Sequence, residues 1–284
     1  MSEHNESDPA RAAKDYSDRL ARTDQVFAPL YRQVVSWLEI GSSLRVLDAG
    51  CGAGDMTELL AQAVGLHGGV IANDIAAAHL RALQERLIGS ELANRITYLE
   101  SSVDSLPLEN ASVDLVWCSH VVHGQPDPLQ TLSELRRVLR PGGRLVLRED
   151  HFLSRILPLE TAGAGLEERI RAADRADFLA WQHELLGTQS DLPGWIALMQ
   201  QAGFHGMTAR SFTLDLIQPL EEYQRDYLNA ILQSWRDDEA IQQVLNLEER
   251  TTLERYANPN DQAFVLNRSD LHFIHCSSVY LGSA

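Results

Sequence analysis

The 284-residue sequence has little cysteine, no long apolar run and no concentration of basic residues. Its three cysteines, Cys51, Cys118 and Cys276, are odd in number and far apart, so they predict neither a disulfide framework nor a metal site. No stretch reaches the ~18 apolar residues that a membrane span needs, and the polar residues 1–10 do not resemble a signal peptide. These absences predict a reduced, soluble, cytoplasmic protein without a metal or a membrane partner.

Basic residues are outnumbered by acidic ones. The chain has 24 lysines and arginines against 40 aspartates and glutamates, which gives a formal net charge of −16. A protein that binds nucleic acid usually presents a basic patch that neutralises phosphates, and the sequence contains no such cluster. We therefore expect no nucleic acid partner, whereas the charge sets no comparable limit on a small-molecule ligand.

What the sequence does contain is an alternation of short apolar runs with amphipathic segments. Apolar runs followed by turn residues predict strands, and helical spacing of apolar residues predicts the helices between them. Such an alternation is typical of a Rossmann-like α/β core, in which helices cover both faces of a mostly parallel sheet. The predicted strands are Leu44–Asp48, Gly69–Asn73, Ile96–Leu99, Val113–Cys118 and Leu145–Leu147, and the helices are Thr57–Val64, Ala76–Leu87 and Leu129–Leu139.

Outside this core the pattern is mainly helical. Helical spacing extends over residues 9–40, with a break expected at Ala28–Pro29. Further strands are expected near Phe212–Leu216 and at Leu271–Leu281, and we expect the helical segments to cover a substrate pocket. The predicted domains are a helical cap (1–43), the core (44–150), a helical lid insertion (151–187), a return to the core (188–217), a second helical insertion (218–265) and the last core strand (266–284).

A loop with three glycines follows the first predicted strand: Gly50, Gly52 and Gly54. Such a loop brings backbone N–H groups close to a ligand, and the next helix points its N-terminus at the same place. A dinucleotide-binding fingerprint would have a further glycine where Asp55 stands, and a carboxylate there would repel a pyrophosphate. S-adenosylmethionine suits the loop better, because the N–H groups can bind its carboxylate and Asp48 can face its ammonium group.

A second acidic residue, Asp74, ends the second predicted strand. At this place in a Rossmann-like sheet a carboxylate can accept hydrogen bonds from both ribose hydroxyls of a cofactor. Ile75 would then lie against the adenine ring. A glycine turn or a surface aspartate alone would be unremarkable in an α/β protein, but the two in this order favour a cofactor site.

The stretch from Arg45 to Asp150 resembles the class I S-adenosylmethionine-dependent methyltransferases, especially the small-molecule branch typified by the ubiquinone/menaquinone C-methyltransferases. The resemblance implies S-adenosylmethionine as cofactor and a sheet of seven strands, the last one antiparallel and paired to the sixth. The matching motifs are Val46–Gly54, Asp74, Ser105–Leu108, Ser112–Val116, Leu135–Leu147 and Ala202–Phe204.

The resemblance also implies which residues bind the cofactor. Ser102 stands where the family has an aspartate that binds the adenine amino group, and a hydroxyl would bind it less strongly than a carboxylate. In related enzymes an aromatic residue of the N-terminal helices reaches the methionine end, a role that would fall to Tyr16. The predicted cofactor-binding residues are Asp48, Gly50, Cys51, Gly52, Gly54, Asp74, Ile75, Ser102, Val103, Ser119 and Tyr16.

Histidines follow the strands on the side where the cofactor would bind. Methyl transfer is an in-line displacement, so orientation and exclusion of water supply much of the acceleration. A hydroxyl or an acidic carbon would also need a base. His120 and His123 follow the fourth strand and His151 the fifth, and each is a candidate base, with a structural role as the alternative. Glu149 and Asp150 are further candidates.

The leading hypothesis is a methyltransferase that acts on a small organic acceptor. A methyltransferase acting on RNA or protein is an alternative, although Cys118-Ser119-His120 replaces the Asn/Asp-Pro-Pro-aromatic motif of enzymes that methylate amino groups in nucleic acids. A non-catalytic cofactor-binding protein of the same fold is a second alternative. A nucleotide-dependent oxidoreductase is a third, and Asp55 argues against it.

Overall fold

The computed structural model describes residues 9–149, 153–158, 165–186 and 194–284. The chain divides into two compact units. The first unit comprises Met1–Glu149, Pro193–Arg210 and Ser278–Ala284, and the second comprises Asp150–Leu192 and Ser211–Ser277. No helix in the described ranges is long and apolar enough to cross a membrane.

The helices and strands alternate through the first half of the chain, as predicted. The helices are α1 Pro9–Leu38, α2 Asp55–Ala63, α3 Ala77–Arg86, α4 Pro128–Val138, α5 Leu166–Leu186, α6 Trp195–Gln201, α7 Glu222–Asp237, α8 Glu239–Val244 and α9 Leu247–Ala257. The strands are β1 Arg45–Ala49, β2 Gly69–Asp74, β3 Ile96–Glu100, β4 Val113–Ser119, β5 Leu139–Arg148, β6 Leu153–Leu157, β7 His205–Ile217 and β8 His272–Ser283.

The first unit is built on a parallel sheet with the strand order β3-β2-β1-β4-β5, and β8 continues it antiparallel to β5. Val46 of β1 pairs with Val70 on one side and Leu115 on the other, and all three side chains are buried. Strands buried on both faces carry nearly continuous apolar runs, which explains why they were visible in the sequence. The carboxyl ends of β1, β2, β4 and β5 therefore meet at one edge of the sheet, and the Rossmann-like α/β fold is confirmed.

The first helix differs from the prediction of a break at Ala28–Pro29. α1 continues through Pro29, although proline removes a backbone donor from the helix interior. Val26, Phe27 and Leu30 lie on the buried face on either side of it. Burial of several large apolar side chains stabilises the helix enough to offset one lost hydrogen bond.

The second unit contains a strand where only helix was predicted. β6 runs antiparallel to β8, from Leu153 opposite Cys276 to Leu157 opposite His272. It raises the number of strands in the described residues to eight, so the predicted number of seven is wrong. A short apolar run does not distinguish a strand from a buried helical turn, and here pairing with the long β8 decided the outcome.

The helical region after β7 is also divided more finely than predicted. The second helical insertion, predicted over residues 218–265 without internal boundaries, contains the three helices α7, α8 and α9. Asp238 accepts a hydrogen bond from the N–H of Ile241 at 2.9 Å and caps α8, and Asn246 accepts one from Glu249 at 3.0 Å and caps α9. Aspartate and asparagine are favoured capping residues because they satisfy an N–H that the first turn leaves unpaired.

Candidate functional site

The glycine loop leads from the carboxyl end of β1 into α2 and lies beside the carboxyl end of β2. Gly50, Gly52 and Gly54 have φ angles of +75°, +53° and +88°, in the left-handed region that L side chains rarely adopt. The N–H groups of Gly50 and Cys51 both donate to the carbonyl oxygen of Asn73, at 2.9 and 2.8 Å. The loop is therefore held in one conformation by the neighbouring strand.

Close packing is a second reason for glycine in this loop. A Cβ atom at Gly50 would lie 2.3 Å from Cγ2 of Val121, and one at Gly54 would lie 2.5 Å from Cδ1 of Leu83. Distances this short require neighbouring atoms to move. The loop backbone can thus approach α3 and the loop after β4 only without side chains at these two positions.

Asp74 lies beside the glycine loop and fixes its geometry. Its carboxylate accepts hydrogen bonds from the N–H of Gly52 at 2.9 Å and of Ala76 at 2.8 Å, and His79 Nδ1 lies 3.3 Å away. Burial by itself would raise the pKa of Asp74, but these donors together lower it below its usual range. Ile75 follows with 73% of its surface exposed.

The surroundings of Asp48 shift its pKa in the opposite direction. It is 1% exposed, and the Thr57 hydroxyl donates to its Oδ2 at 2.6 Å. Burial raises the pKa of Asp48 to about 7, with the nearby carboxylates of Asp24 and Asp74 adding to the shift. A cation placed beside such a group favours its ionised form, so Asp48 is suited to an ammonium ligand.

Helix α1 contributes residues that the sequence interpretation missed. The hydroxyl of Tyr31 donates to Oδ1 of Asp24 at 3.0 Å, and the Arg148 guanidinium lies over the rings of Tyr31 and Phe27 at 5.4 and 5.8 Å from their centroids. Burial raises the pKa of Asp24 to about 7, and the carboxylate of Asp55 contributes. Asp24 stands in a polar stretch of the helix, between Thr23 and Gln25, and helical periodicity alone does not single it out.

The structure brings two of the three candidate histidines to the same edge of the sheet. Nδ1 of His123 lies 2.6 Å from Oε2 of Glu149, whose Oε1 accepts the N–H groups of Val121 and Val122 at 3.1 and 2.8 Å. The His120 ring lies edge-on to His123, with centroids 6.1 Å apart. A histidine held by a buried carboxylate is the arrangement that enzymes use to orient a base.

The remaining predicted residues occupy several places. Ser119 ends β4 and accepts a hydrogen bond from Arg148 at 3.2 Å, while Ser102 and the buried Val103 lie in the loop after β3. Burial raises the pKa of the Cys51 thiol, which keeps it protonated. Tyr16 belongs to α1, but its side chain and all of His151 lie outside the described residues.

The site thus combines groups suited to one particular kind of ligand. Backbone N–H groups of a helix N-terminal loop suit a small anion, the carboxylate of Asp48 suits a cation, and Asp74 with Ile75 suits a sugar carrying an aromatic base. Val121 lies where a Cβ of Gly50 would stand, so the loop backbone packs closely against its neighbours. These groups match S-adenosylmethionine in chemistry. Among the described residues, no group of three His, Cys, Asp or Glu side chains is placed to hold a metal ion.

Comparison with known proteins gives the same assignment. Residues 47–147 match the family described as the methyltransferase domain. The demethylmenaquinone methyltransferase of Lactiplantibacillus plantarum is 34% identical over 118 residues, which are 42% of this chain and 50% of that protein. The ubiquinone/menaquinone biosynthesis C-methyltransferase of Methylococcus capsulatus is 29% identical over 210 residues, 69% of this chain and 79% of that protein.

The match to most of the curated relatives is partial, since the chain spans about half their length. Among solved structures, a Bacillus halodurans protein assigned to the methyltransferases superposes with a TM-score of 0.52, covering 88% of this chain and 97% of that chain at 17% identity. YcgJ of Bacillus subtilis gives a TM-score of 0.51 at 15% identity, covering 89% of this chain and 97% of that chain. At such low identities the likeness establishes the fold.

Proposed function

We propose that this chain, whose residues 47–147 match the methyltransferase domain family, is an S-adenosylmethionine-dependent methyltransferase that transfers a methyl group to a small organic acceptor. The observation that carries the proposal is the glycine loop locked against β2, with Asp74 accepting the N–H of Gly52 beside it. The relatives named as demethylmenaquinone and ubiquinone/menaquinone methyltransferases support a quinone-like acceptor.

The cofactor would be held by residues of the first unit. The N–H groups at the N-terminus of α2 would bind its carboxylate, because those of Gly50, Cys51, Gly52 and Gly54 already donate within the protein. Asp48 would bind its ammonium group and Asp74 its ribose hydroxyls, with Ile75 against the adenine. Ser102, Val103, Ser119 and Tyr16 are further proposed contacts. S-adenosylmethionine supplies an electrophilic methyl group on a sulfonium, which leaves as a neutral thioether.

The protein's part in the chemistry is orientation, exclusion of water and removal of a proton. In-line attack requires the acceptor atom to be held behind the methyl group, and most of the acceleration comes from this alignment. Histidine is the proposed base, because it can take a proton near neutral pH. His120 and His123 follow β4 at the edge where the cofactor would bind. We propose no nucleic acid or membrane partner, in keeping with the net charge of −16.

Calorimetry tests this proposal directly. The purified chain should bind S-adenosylmethionine and its demethylated product but not NAD. Asp74→Ala should weaken the binding of the demethylated cofactor by about 1–3 kcal/mol, the usual loss for hydrogen bonds to a charged group. Binding of NAD without any response to S-adenosylmethionine would overturn the proposal.

Turnover against a panel of hydroquinones and phenols, followed by release of the demethylated cofactor, then tests the acceptor class. Cofactor binding without release from any member would favour the alternative of a non-catalytic cofactor-binding protein.

A further inference from the structure

Glu149 has an unusual combination of burial and partners. It follows the end of β5, is only 2% exposed, and receives three hydrogen-bonding groups on its two carboxylate oxygens. Oε1 accepts both backbone N–H groups of Val121 and Val122, and Oε2 lies against Nδ1 of His123. A carboxylate that only accepts hydrogen bonds matches this set of partners.

The pairing determines which nitrogen of His123 can act as a base. An ionised carboxylate has no proton to donate, so the short contact with Oε2 requires the proton on Nδ1. In that tautomer Nε2 is the nitrogen with a lone pair. The side chain of His123 is 24% exposed while that of Glu149 is 2% exposed, so the ring can meet a ligand and its orienting carboxylate is shielded from water.

The same carboxylate also connects the histidine to the glycine loop. Val121, whose N–H bonds to Glu149, packs so closely over Gly50 that a Cβ there would lie 2.3 Å from its Cγ2. The orientation of His123 and the shape of the loop therefore depend on one short segment. His120, by contrast, is exposed and has a left-handed backbone with a φ of +56°.

We propose that Glu149 is a positioning residue that holds His123 with Nε2 as the proton acceptor, and that the methyl acceptor is a hydroxyl or a carbon acid. The inference rests on the proposed function and narrows its substrate class. An amine or a thioether nucleophile needs no base to create its lone pair, whereas a phenol, an enol or an activated carbon gains its nucleophilic electron pair by losing a proton.

The acceptor's O–H or C–H proton passes to Nε2 of His123, and the freed electron pair forms the new bond to the methyl carbon. The carbon–sulfur bond breaks with its electrons remaining on sulfur, which becomes the neutral thioether. The Glu149 carboxylate against Nδ1 offsets the charge on the imidazolium, as the aspartate does in hydrolase triads.

Glu149→Gln provides a sharp test, because the amide has one acceptor atom and one donor group. Its oxygen is needed by the N–H groups of Val121 and Val122, so its NH₂ would face Nδ1 and donate to it. His123 should then carry its proton on Nε2. Asp114→Asn is the matched control, since Asp114 also accepts a backbone N–H, from Arg45 at 2.8 Å, but lies at the other end of β4.

The tautomer can be read without any acceptor, from nitrogen chemical shifts of ¹⁵N-histidine-labelled full-length protein with the demethylated cofactor added. The His123 signal is assigned by its loss in His123→Asn. We expect the Nδ1-protonated form in the parent protein and in Asp114→Asn, and the Nε2-protonated form in Glu149→Gln. An unchanged tautomer in Glu149→Gln, or an Nε2-protonated parent, would overturn the inference.

Steady-state kinetics of methyl transfer test the same inference independently. Glu149→Gln should lower kcat at least about 100-fold while acceptor KM and affinity for the demethylated cofactor change less than about threefold, by analogy with the wrong-tautomer variant of hydrolase triads. Equal kcat in parent and variant would also reject the inference. If Glu149→Gln does not fold, Glu149→Asp, whose shorter carboxylate cannot span both partners, should show the same loss of kcat.

Failure of every acceptor in the parent protein would count against the proposed function, while the tautomer of His123 would still decide the role of Glu149.

Discussion

Among single residues, Asp48 and Asp74 show how the same side chain acquires opposite pKa shifts on two adjacent strands. Both are buried at the ends of adjacent strands. Asp74 has two backbone N–H donors and His79 around it, which lower its pKa, whereas the partner described for Asp48 is a neutral hydroxyl, and burial raises its pKa to about 7. The difference lies in the donors, which only the folded chain supplies.

Asp48→Asn should therefore stabilise the ligand-free protein in a pH-dependent way. The pKa of Asp48 is about 7 in the folded state and lies near its ordinary value of roughly 4 in the unfolded chain, so the folded state favours the protonated form. Stability from this group is present below about pH 4 and is lost as the pH rises toward 7. Asparagine avoids this loss and can still accept the Thr57 hydrogen bond.

Chemical denaturation at pH 5 and pH 8 measures the effect. The gain of the variant over the parent should be larger at pH 8 than at pH 5, by on the order of 2–3 kcal/mol. An equal loss of stability at both pH values would mean that Asp48 is ionised and paired in the ligand-free state.

At the scale of elements, the glycine loop works because of two separate requirements, a left-handed backbone and close packing. Gly50 has both, with a φ of +75° and Val121 within clashing distance of an added Cβ. Gly65 has a similar φ of +68° but nothing within 4 Å of the same atom. Comparing substitutions at Gly50 and Gly65 therefore separates the free-energy cost of the left-handed backbone from the cost of a steric clash.

Gly65→Ala should cost about 1 kcal/mol of unfolding free energy, the usual cost of a left-handed non-glycine residue, and should leave cofactor affinity unchanged. Gly50→Ala should cost a further 1–3 kcal/mol, roughly the effect of overpacking. It should also weaken binding of the demethylated cofactor at least about tenfold, because the loop must move. Denaturant titration and calorimetry on both variants check this, and similar values for the two would show that the contact with Val121 yields easily.

At the scale of the whole molecule, the residues proposed to hold the cofactor belong to the first unit. The second unit has its own buried polar centre. Glu167 at the start of α5 is fully buried, accepts the N–H of Ile156 at 2.9 Å and pairs with Arg171. The adjacent Glu168 is exposed and pairs with Arg155 at 2.8 Å.

Glu167→Ala should destabilise the second unit by about 3 kcal/mol, because it leaves the N–H of Ile156 and the charge of Arg171 without their carboxylate. Affinity for the demethylated cofactor should stay within about twofold of the parent value. Glu168→Ala is the control, with a much smaller shift in Tm expected for an exposed ion pair. Thermal unfolding and calorimetry read both effects, and a large loss of cofactor affinity in Glu167→Ala would show that the second unit takes part in binding.

The core of this protein follows from local patterns in its sequence. Apolar runs and glycine spacing predict β1–β5, the intervening helices, the glycine loop and Asp74. Tertiary structure alone decided that residues 153–157 form β6, since their partner lies far along the chain in β8. It also decided which histidine meets a carboxylate: His123 and Glu149 are brought together by parallel pairing of β4 with β5. Burial and long-range pairing set these contacts and the charges of the groups involved, and neither is encoded in a local pattern.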